Sequence, residues 1–536
     1  MAVRDGAEVD RVADLPAEPG RRFEDDPARD ALDWAMTTSV SEESRHGVAW
    51  VPIAWPVLVV AGAMVAGLLA VSGAYGFHGD EMYYVVTGQH PAWGYVDQPP
   101  LTPLLSAMSV AVLGVSPTAV RVLPALEMGL IVVLIALIAR ELGGTRRAQL
   151  LAAITAALSG YLAAGHLDTT SELDLLAWAA ILWLVVKLLA GSDRRLWLVV
   201  GVVAGIGLEN KDTLLFLGAG LAVGLVLARR WDVLRSPWVW AGVGIALLLW
   251  APNLAWQASH DWPQLTMASR IGGNAADNRA QILPTLLLAA GLLLFPVSIA
   301  GWLWMLFAKT AAPWRPIGIA AVVVLLLVLV TGGKAYYVMG IVAAFMAAGG
   351  VVLDGWLARG HRRLRAGSLV AAAIISGALT VYLTLPILSP AEFVKTTLPT
   401  TDPVLAEQIG WPEFISTVEG VVAALPADQR ARAVILTNDY SEASPLVLLG
   451  TGLPPVYSGH NAFWDWGPPP ANLTVVVHVG DWRPTDWNQY FVDCRVVAQI
   501  DNGLGLNNSE QGKAVSVCTA LRAPWTTLWQ ELRTIS

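Results

Sequence analysis

The sequence predicts a polytopic α-helical membrane domain followed by a smaller soluble α/β domain. Three observations predict it. Of 536 residues, 55% are hydrophobic and only 14% charged, against roughly 25% charged in ordinary globular proteins, and the mean hydropathy is +0.54. From Val51 the chain runs as apolar stretches of roughly 16–25 residues, the length a helix needs to cross ~30 Å of hydrocarbon. Beyond Pro386 those long runs cease. A net charge of −8 with 34 scattered Lys and Arg argues against a nucleic-acid partner, because neutralising phosphates requires concentrated basic residues.

Taken in order, residues 1–50 are charged and Pro-containing, without an apolar run, and read as a disordered cytoplasmic tail with no cleavable signal peptide. The membrane domain, 51–388, is expected to hold eleven spans, at about 54–76, 119–139, 148–165, 174–190, 196–209, 213–228, 238–256, 281–307, 317–331, 335–353 and 368–386. The stretch 101–116 is short and carries Pro103, so it reads as a re-entrant or interfacial helix. With the N-terminus inside, fifteen Lys and Arg fall in cytoplasmic loops and five outside, namely Arg121, Lys211, Arg270, Arg279 and Lys334. That bias is the one that sets orientation in a plasma (inner) membrane.

An odd number of spans places residues 389–536 outside the cytoplasm. Their pattern predicts strands at 433–436, 473–479 and 495–500 and helices at 412–424, 442–450 and 484–491. An oxidising compartment permits a disulfide, and the two cysteines, Cys494 and Cys518, both lie in this domain. A Cys494–Cys518 bridge is expected; two free buried thiols are the alternative.

Candidate chemistry lies in the outer loops. Directly after the first span stands Phe77-His-Gly-Asp80-Glu81-Met-Tyr83-Tyr84, then Gly94-Tyr95-Val-Asp97-Gln98-Pro99-Pro100. Adjacent carboxylates at the water–lipid boundary suit general-base work, and Asp80 is the leading candidate, with Glu81 beside it. The structural alternative is that the two acids cap the next helix. After the third span come His166, Asp168, Glu172 and Asp174, spaced so that some share a helical face and position an acceptor or orient basic residues. Loop acids at a membrane surface are more often solvated than metal-bound, so a divalent metal held by His166 and these acids is the lesser alternative, none is predicted, and no cofactor is required. Lys211, Lys334 with its following tyrosines, and Arg270 form a set suited to holding a phosphate, with snorkelling to the headgroups as the alternative.

With these residues in place, the chain resembles the family 39 glycosyltransferases, the group containing protein O-mannosyltransferases and the aminoarabinose transferases that modify lipid A. The resemblance covers roughly residues 55–350. It rests on Asp80-Glu81 with Tyr83 and Tyr84, on Tyr95…Asp97-Gln98-Pro99-Pro100, on Leu173-Asp174-Leu-Leu-Ala-Trp178, on Lys211, and on Gly333-Lys334-Ala-Tyr-Tyr337. It implies a C-superfamily glycosyltransferase fold and a sugar donor carried on a polyprenyl monophosphate. By the same implication Asp80 takes a proton from an acceptor hydroxyl, on a glycan, glycolipid or protein, and the lipid phosphate leaves with inversion at the sugar. Tyr83, Tyr84, Tyr95, Asp97, Gln98 and the 166–174 acids would then position donor or acceptor, and Tyr337 would join the phosphate set.

One lineage of the family is also matched in the C-terminal domain, through Asn438-Asp-Tyr440-Ser441-Glu442-Ala443 and Ser458-Gly-His460-Asn461-Ala-Phe-Trp464-Asp-Trp466, although that pattern more often has Gly where Ser441 stands. His460, Asn461, Trp464 and Trp466 suit sugar contacts, since aromatic faces stack on sugars while polar groups meet hydroxyls; the two tryptophans equally suit anchoring at a membrane surface. The expected activity is an inverting glycosyltransferase at the external membrane face. A secondary transporter and a non-catalytic partner that keeps the fold are the rivals. Transporters commonly carry an internal repeat and broken helices at the midplane, and neither is visible here.

Overall fold

The computed structural model describes residues 52–481 and 487–536. The expected cytoplasmic tail, 1–50, lies outside the described residues. Numbering only helices of eight residues or more, the first part comprises α1 (Trp55–Val71), α2 (Gly79–Gly88), α3 (Leu101–Leu113), α4 (Pro117–Glu141), α5 (Arg146–Ala157), α6 (Thr170–Leu189), α7 (Leu196–Leu208), α8 (Leu214–Leu227), α9 (Pro237–Ser259), α10 (Pro263–Gly273), α11 (Ala275–Ala289), α12 (Phe295–Phe307), α13 (Arg315–Thr331), α14 (Met339–Leu357) and α15 (Arg362–Thr384). Among the described residues, five helical stretches are individually long and apolar enough to cross a bilayer: α4, α9, α15, and α13 and α14 with the short turns that precede them. Five more, α1, α3, α7, α8 and α12, are apolar but shorter. This is a multi-pass membrane protein.

The helix starts follow local chemistry. Ser116 caps α4 through its side chain, with Pro117 in the first turn where a missing N–H is harmless. Thr169 and Glu172 form a capping box on α6. The core is packed around α4 and α14, where Ile131, Ile135, Val342 and Met346 are buried. The outer helices turn large apolar side chains outward, Leu248 on α9 and Ile374 on α15 among them, as contact with lipid requires.

Two expected spans are interrupted. Residues 281–307 are not one helix: α11 ends at Ala289 and α12 begins at Phe295, because the linking turn puts Gly291 at φ +80°, a left-handed conformation cheap only for glycine. Residues 148–165 likewise divide into α5 and a short turn, Tyr161–Gly165, with the Gly160 N–H bonded to the Leu288 carbonyl at 2.7 Å.

The C-terminal part holds α16 (Trp411–Ala424), α17 (Tyr440–Leu448) and five strands: β1 (Ala433–Thr437), β2 (Val456–Ser458), β3 (Val475–Gly480), β4 (Phe491–Gln499) and β5 (Ala514–Leu521). They form one sheet in the order β2-β1-β3-β5-β4. β1 runs parallel to β2 and β3, and β5 antiparallel to β3 and β4. The strand expected at 495–500 starts earlier, at Phe491, and is a largely exposed edge strand instead of a buried one. The helix expected at 484–491 does not reach its end, since Phe491 already opens β4; residues 484–486 lie outside the described residues. Cys494 and Cys518 are cross-strand partners of β4 and β5 and are joined as a disulfide.

The two parts share a core. Phe77, Met82 and Val85, on and just before α2, pack with Trp411, Phe414 and Val418 of α16 and with Ile435 and Val477 of the sheet. The Trp411 indole N–H donates to the Phe77 carbonyl at 2.8 Å. Helix α2 is therefore buried on two sides, with α3 on one and the C-terminal sheet domain on the other, and this fixes the residues it carries.

Candidate active site

Asp80 and Glu81 occupy the first turn of α2, where the helix dipole favours negative charge, but they point to different fates. His78 is the N-cap residue and Glu81 completes its capping box, accepting from the His78 N–H at 2.8 Å. Glu81 also takes a bidentate pair from Arg121, 2.8 Å from Nε and 2.7 Å from Nη2, and the Asp168 N–H at 3.1 Å. The remaining Arg121 donors go to the Ser72 and Gly76 carbonyls and to Gln408 Oε1. The Glu81 side chain is 0% exposed and that of Asp80 34%. The capping alternative thus describes Glu81, which is locked in a buried ion pair, while Asp80 keeps an open face. Arg121, expected as an outside cation, is buried at the centre of this brace.

Asp80 Oδ1 accepts the Tyr440 hydroxyl at 2.9 Å. Asp97 lies in the same pocket, with Oδ1 accepting from Tyr83 at 3.1 Å and Oδ2 from Asn461 Nδ2 at 3.4 Å. Burial pushes Asp97 up to about 7; its hydrogen bonds oppose this and the Asp80 charge adds to it. Tyr83 stacks on Tyr440 at 4.2 Å. Tyr84 is buried beside both, and burial raises it well above the ordinary tyrosine range, with the Asp80 charge adding to the shift.

The expected phosphate set assembles in part. Lys211 Nζ sits 4.6 Å from the Tyr336 ring centre and 5.7 Å from that of Tyr337, and donates to Ser171 Oγ at 3.2 Å. Lys334 Nζ lies 6.0 Å from the same Tyr336 ring. Electrostatic interaction with Tyr336 raises Lys334 above the ordinary lysine value against the cost of burial, and Tyr337 and Asp80 add to the rise. Burial lowers Lys211, with Asp174, Tyr337 and Glu172 opposing. Two ammonium groups, two tyrosines and the Asp80 carboxylate therefore share one electrostatic neighbourhood. Arg270 does not join them: it is exposed on α10, and the site residue that feels its charge is His460.

The other expected residues brace the pocket. Tyr95 donates to the Thr87 and His90 carbonyls at 2.9 and 3.2 Å, and the Gln98 carbonyl accepts from the Tyr95 N–H. His166 is buried against Gln408 at 3.2 Å, and burial followed by the Arg121 charge lowers it to about 3. Asp168 accepts from Ser106, Glu172 closes its capping box, and Asp174 takes Thr213 at 2.7 Å and Trp178 at 3.2 Å. These acids are spent in separate hydrogen bonds, and no group of three metal-ligating side chains occurs among the described residues.

In the C-terminal domain His460 stacks on Tyr440 at 5.0 Å. Trp466 stacks on His90 at 4.1 Å, so it fastens the domain to the loop after α2. The Trp464 indole N–H donates to the Trp529 carbonyl and the Trp529 indole N–H to the Trp464 carbonyl, and the Trp464 ring lies under Arg533 at 4.1 Å. Tyr440, Arg121 and Gln408 are the site residues whose roles sequence reasoning missed. For Tyr440 the signal was present in the 438–443 motif, but its partner stands 360 positions away.

The comparisons bear on the family and the fold. Residues 97–256 match the family described as dolichyl-phosphate-mannose-protein mannosyltransferase. No curated protein sequence matches the chain. Among solved structures, ArnT from Cupriavidus metallidurans bound to undecaprenyl phosphate aligns at a TM-score of 0.57 and 14% identity, covering 87% of this chain and 98% of that one. The arabinofuranosyltransferase AftD from Mycobacteria aligns at a TM-score of 0.51 and 14% identity, over 88% of this chain and 40% of that one. Over residues 97–256 the chain is similar to that mannosyltransferase family, and over most of its length it shares the multi-pass helical fold of ArnT and AftD.

Proposed function

We propose that the protein is an inverting glycosyltransferase that moves a sugar from a polyprenyl-monophosphate carrier to a hydroxyl acceptor at the extracytoplasmic face of the plasma (inner) membrane. The observation that carries this reading is that the Asp80 charge acts on Lys334 and Tyr336, with Lys334 and Lys211 both set against the Tyr336 ring. In the proposed step the acceptor oxygen attacks the anomeric carbon as its proton passes to Asp80. The bond from that carbon to the phosphate oxygen breaks, and the polyprenyl phosphate departs carrying the bond's electron pair. Lysines beside the departing phosphate stabilise charge that develops there, and phosphate leaves without a general acid. The structural neighbour ArnT is described as bound to undecaprenyl phosphate, a carrier of the class invoked.

The test is to incubate purified protein with a panel of polyprenyl-phosphate sugars and score release of free lipid phosphate. Wild-type protein is expected to release it from one donor, and Asp80→Asn to lose nearly all of that activity while inserting and folding normally. Wild-type turnover in Asp80→Asn would remove that acid from the mechanism.

A further inference from the structure

We infer that Tyr440, carried into the membrane-proximal site by the C-terminal domain, is a positioning residue that holds the Asp80 carboxylate oriented for proton abstraction. The inference rests on the transferase reading and adds a residue from a part of the chain outside the 97–256 family match.

The Tyr440 hydroxyl donates to Asp80 Oδ1 at 2.9 Å. Oδ2 has a different surrounding. Its neighbour is His78 Nδ1 at 3.9 Å, and that nitrogen already accepts the Asp80 N–H at 3.2 Å, so it presents a lone pair and not a proton. Among the described residues no hydrogen bond reaches Oδ2, so one oxygen is tethered and the other is left for the acceptor hydroxyl. A freely rotating carboxylate would have to be ordered at each turnover; a tether removes that cost in advance.

Tyr440 is itself held. Its ring lies between Tyr83, at 4.2 Å, and His460, at 5.0 Å, and its N–H donates to His460 Nδ1 at 3.3 Å. The N-terminus of α17 is closed by a capping box from Asp439 and Glu442. Glu442 is buried and pairs with Lys513 of the sheet domain at 2.7 Å, which ties the start of the helix to its own core. Close approach to α2 is possible because Gly79 faces Ser441: a Cβ on Gly79 would lie 2.9 Å from the Ser441 Cβ. The phenol also remains a donor, since the Asp80 charge, with burial, raises Tyr440 well above the ordinary tyrosine range. The other titratable groups facing Asp80 are His78 and Tyr84 on its own segment and Asp97, Lys334 and Tyr336 from neighbouring loops.

Tyr440→Phe keeps the ring and its stacking and deletes only the donor. With the donor that wild type uses, kcat is expected to fall roughly ten-fold, the scale of one hydrogen bond to a charged group, with donor KM unchanged. Removing a donor from a carboxylate favours its protonated form, so the acid limb of the rate–pH profile moves to higher pH. A second readout needs no turnover: a protonated carboxyl group gives its proton to a carbodiimide and its oxygen adds to the carbodiimide carbon, and peptide mapping should show Asp80 labelled several-fold faster in the variant at one fixed pH. Wild-type kcat with an unmoved acid limb and equal labelling would overturn the inference. So would a loss of donor affinity in step with kcat, the signature of a dislodged domain. If wild type turns over none of the donors while the labelling difference is present, the transferase reading fails and the Tyr440–Asp80 tether stands.

Discussion

At residue 81 the carboxylate has no work left to do in a reaction. Both Glu81 oxygens are engaged, by Arg121, by the His78 N–H and by the Asp168 N–H, and neither partner of the ion pair sees solvent. Replacing one member of such a pair leaves the other charged and buried, a loss of roughly 3–5 kcal/mol. Glu81→Gln is therefore expected to lower thermal stability in detergent sharply, whereas Asp80→Asn melts like wild type; equal melting of the two variants would show that the pair does not brace the fold. That an acidic pair stands at the start of the helix after the first apolar span was legible in the sequence. Which acid is open was not legible, because the answer depends on Arg121 and Tyr440, 40 and 360 positions away respectively.

Helices were legible wherever an apolar run was long, and their interruptions were not. Hydropathy averages over the turn at Gly291 and so joins α11 to α12, although a five-residue turn with a left-handed glycine separates them. The exposed edge strand β4 was misplaced for a related reason: a strand with one solvated face carries a weaker apolar signal than the buried runs of β1 and β3. The element that most determines the site, α2, is set by a close crossing. A Cβ on Gly88 would come within 1.9 Å of the Pro103 carbonyl oxygen on α3, and backbone cannot yield as a side-chain tip does. Gly88→Ala is expected to push α2 off α3, at a cost of roughly 1–3 kcal/mol for an overpacked site, and to reduce transfer by displacing Asp80 and Tyr83. Crosslinking or melting data showing wild-type packing with wild-type turnover would mean that α3 relaxes to make room.

On the scale of the molecule, the shared core links two questions that sequence treats separately. Met82 and Val85 of α2 pack with Phe414 of α16 and with the sheet, so Asp80 and the C-terminal domain must lie on the same side of the membrane whichever side that is. The proposal that this side is external comes from the distribution of Lys and Arg between loops, and the Cys494–Cys518 disulfide is compatible with it. The two arguments are independent, and one experiment joins them. A cysteine introduced at exposed Glu413, on α16, and another at exposed Asp193, between α6 and α7, should respond differently to a membrane-impermeant thiol reagent applied to intact cells. Glu413→Cys is expected to be labelled and Asp193→Cys to be labelled only after lysis. The reverse pattern would put the acid, its lysines and the whole sheet domain in the cytoplasm, where a donor presented at the external face could not reach them.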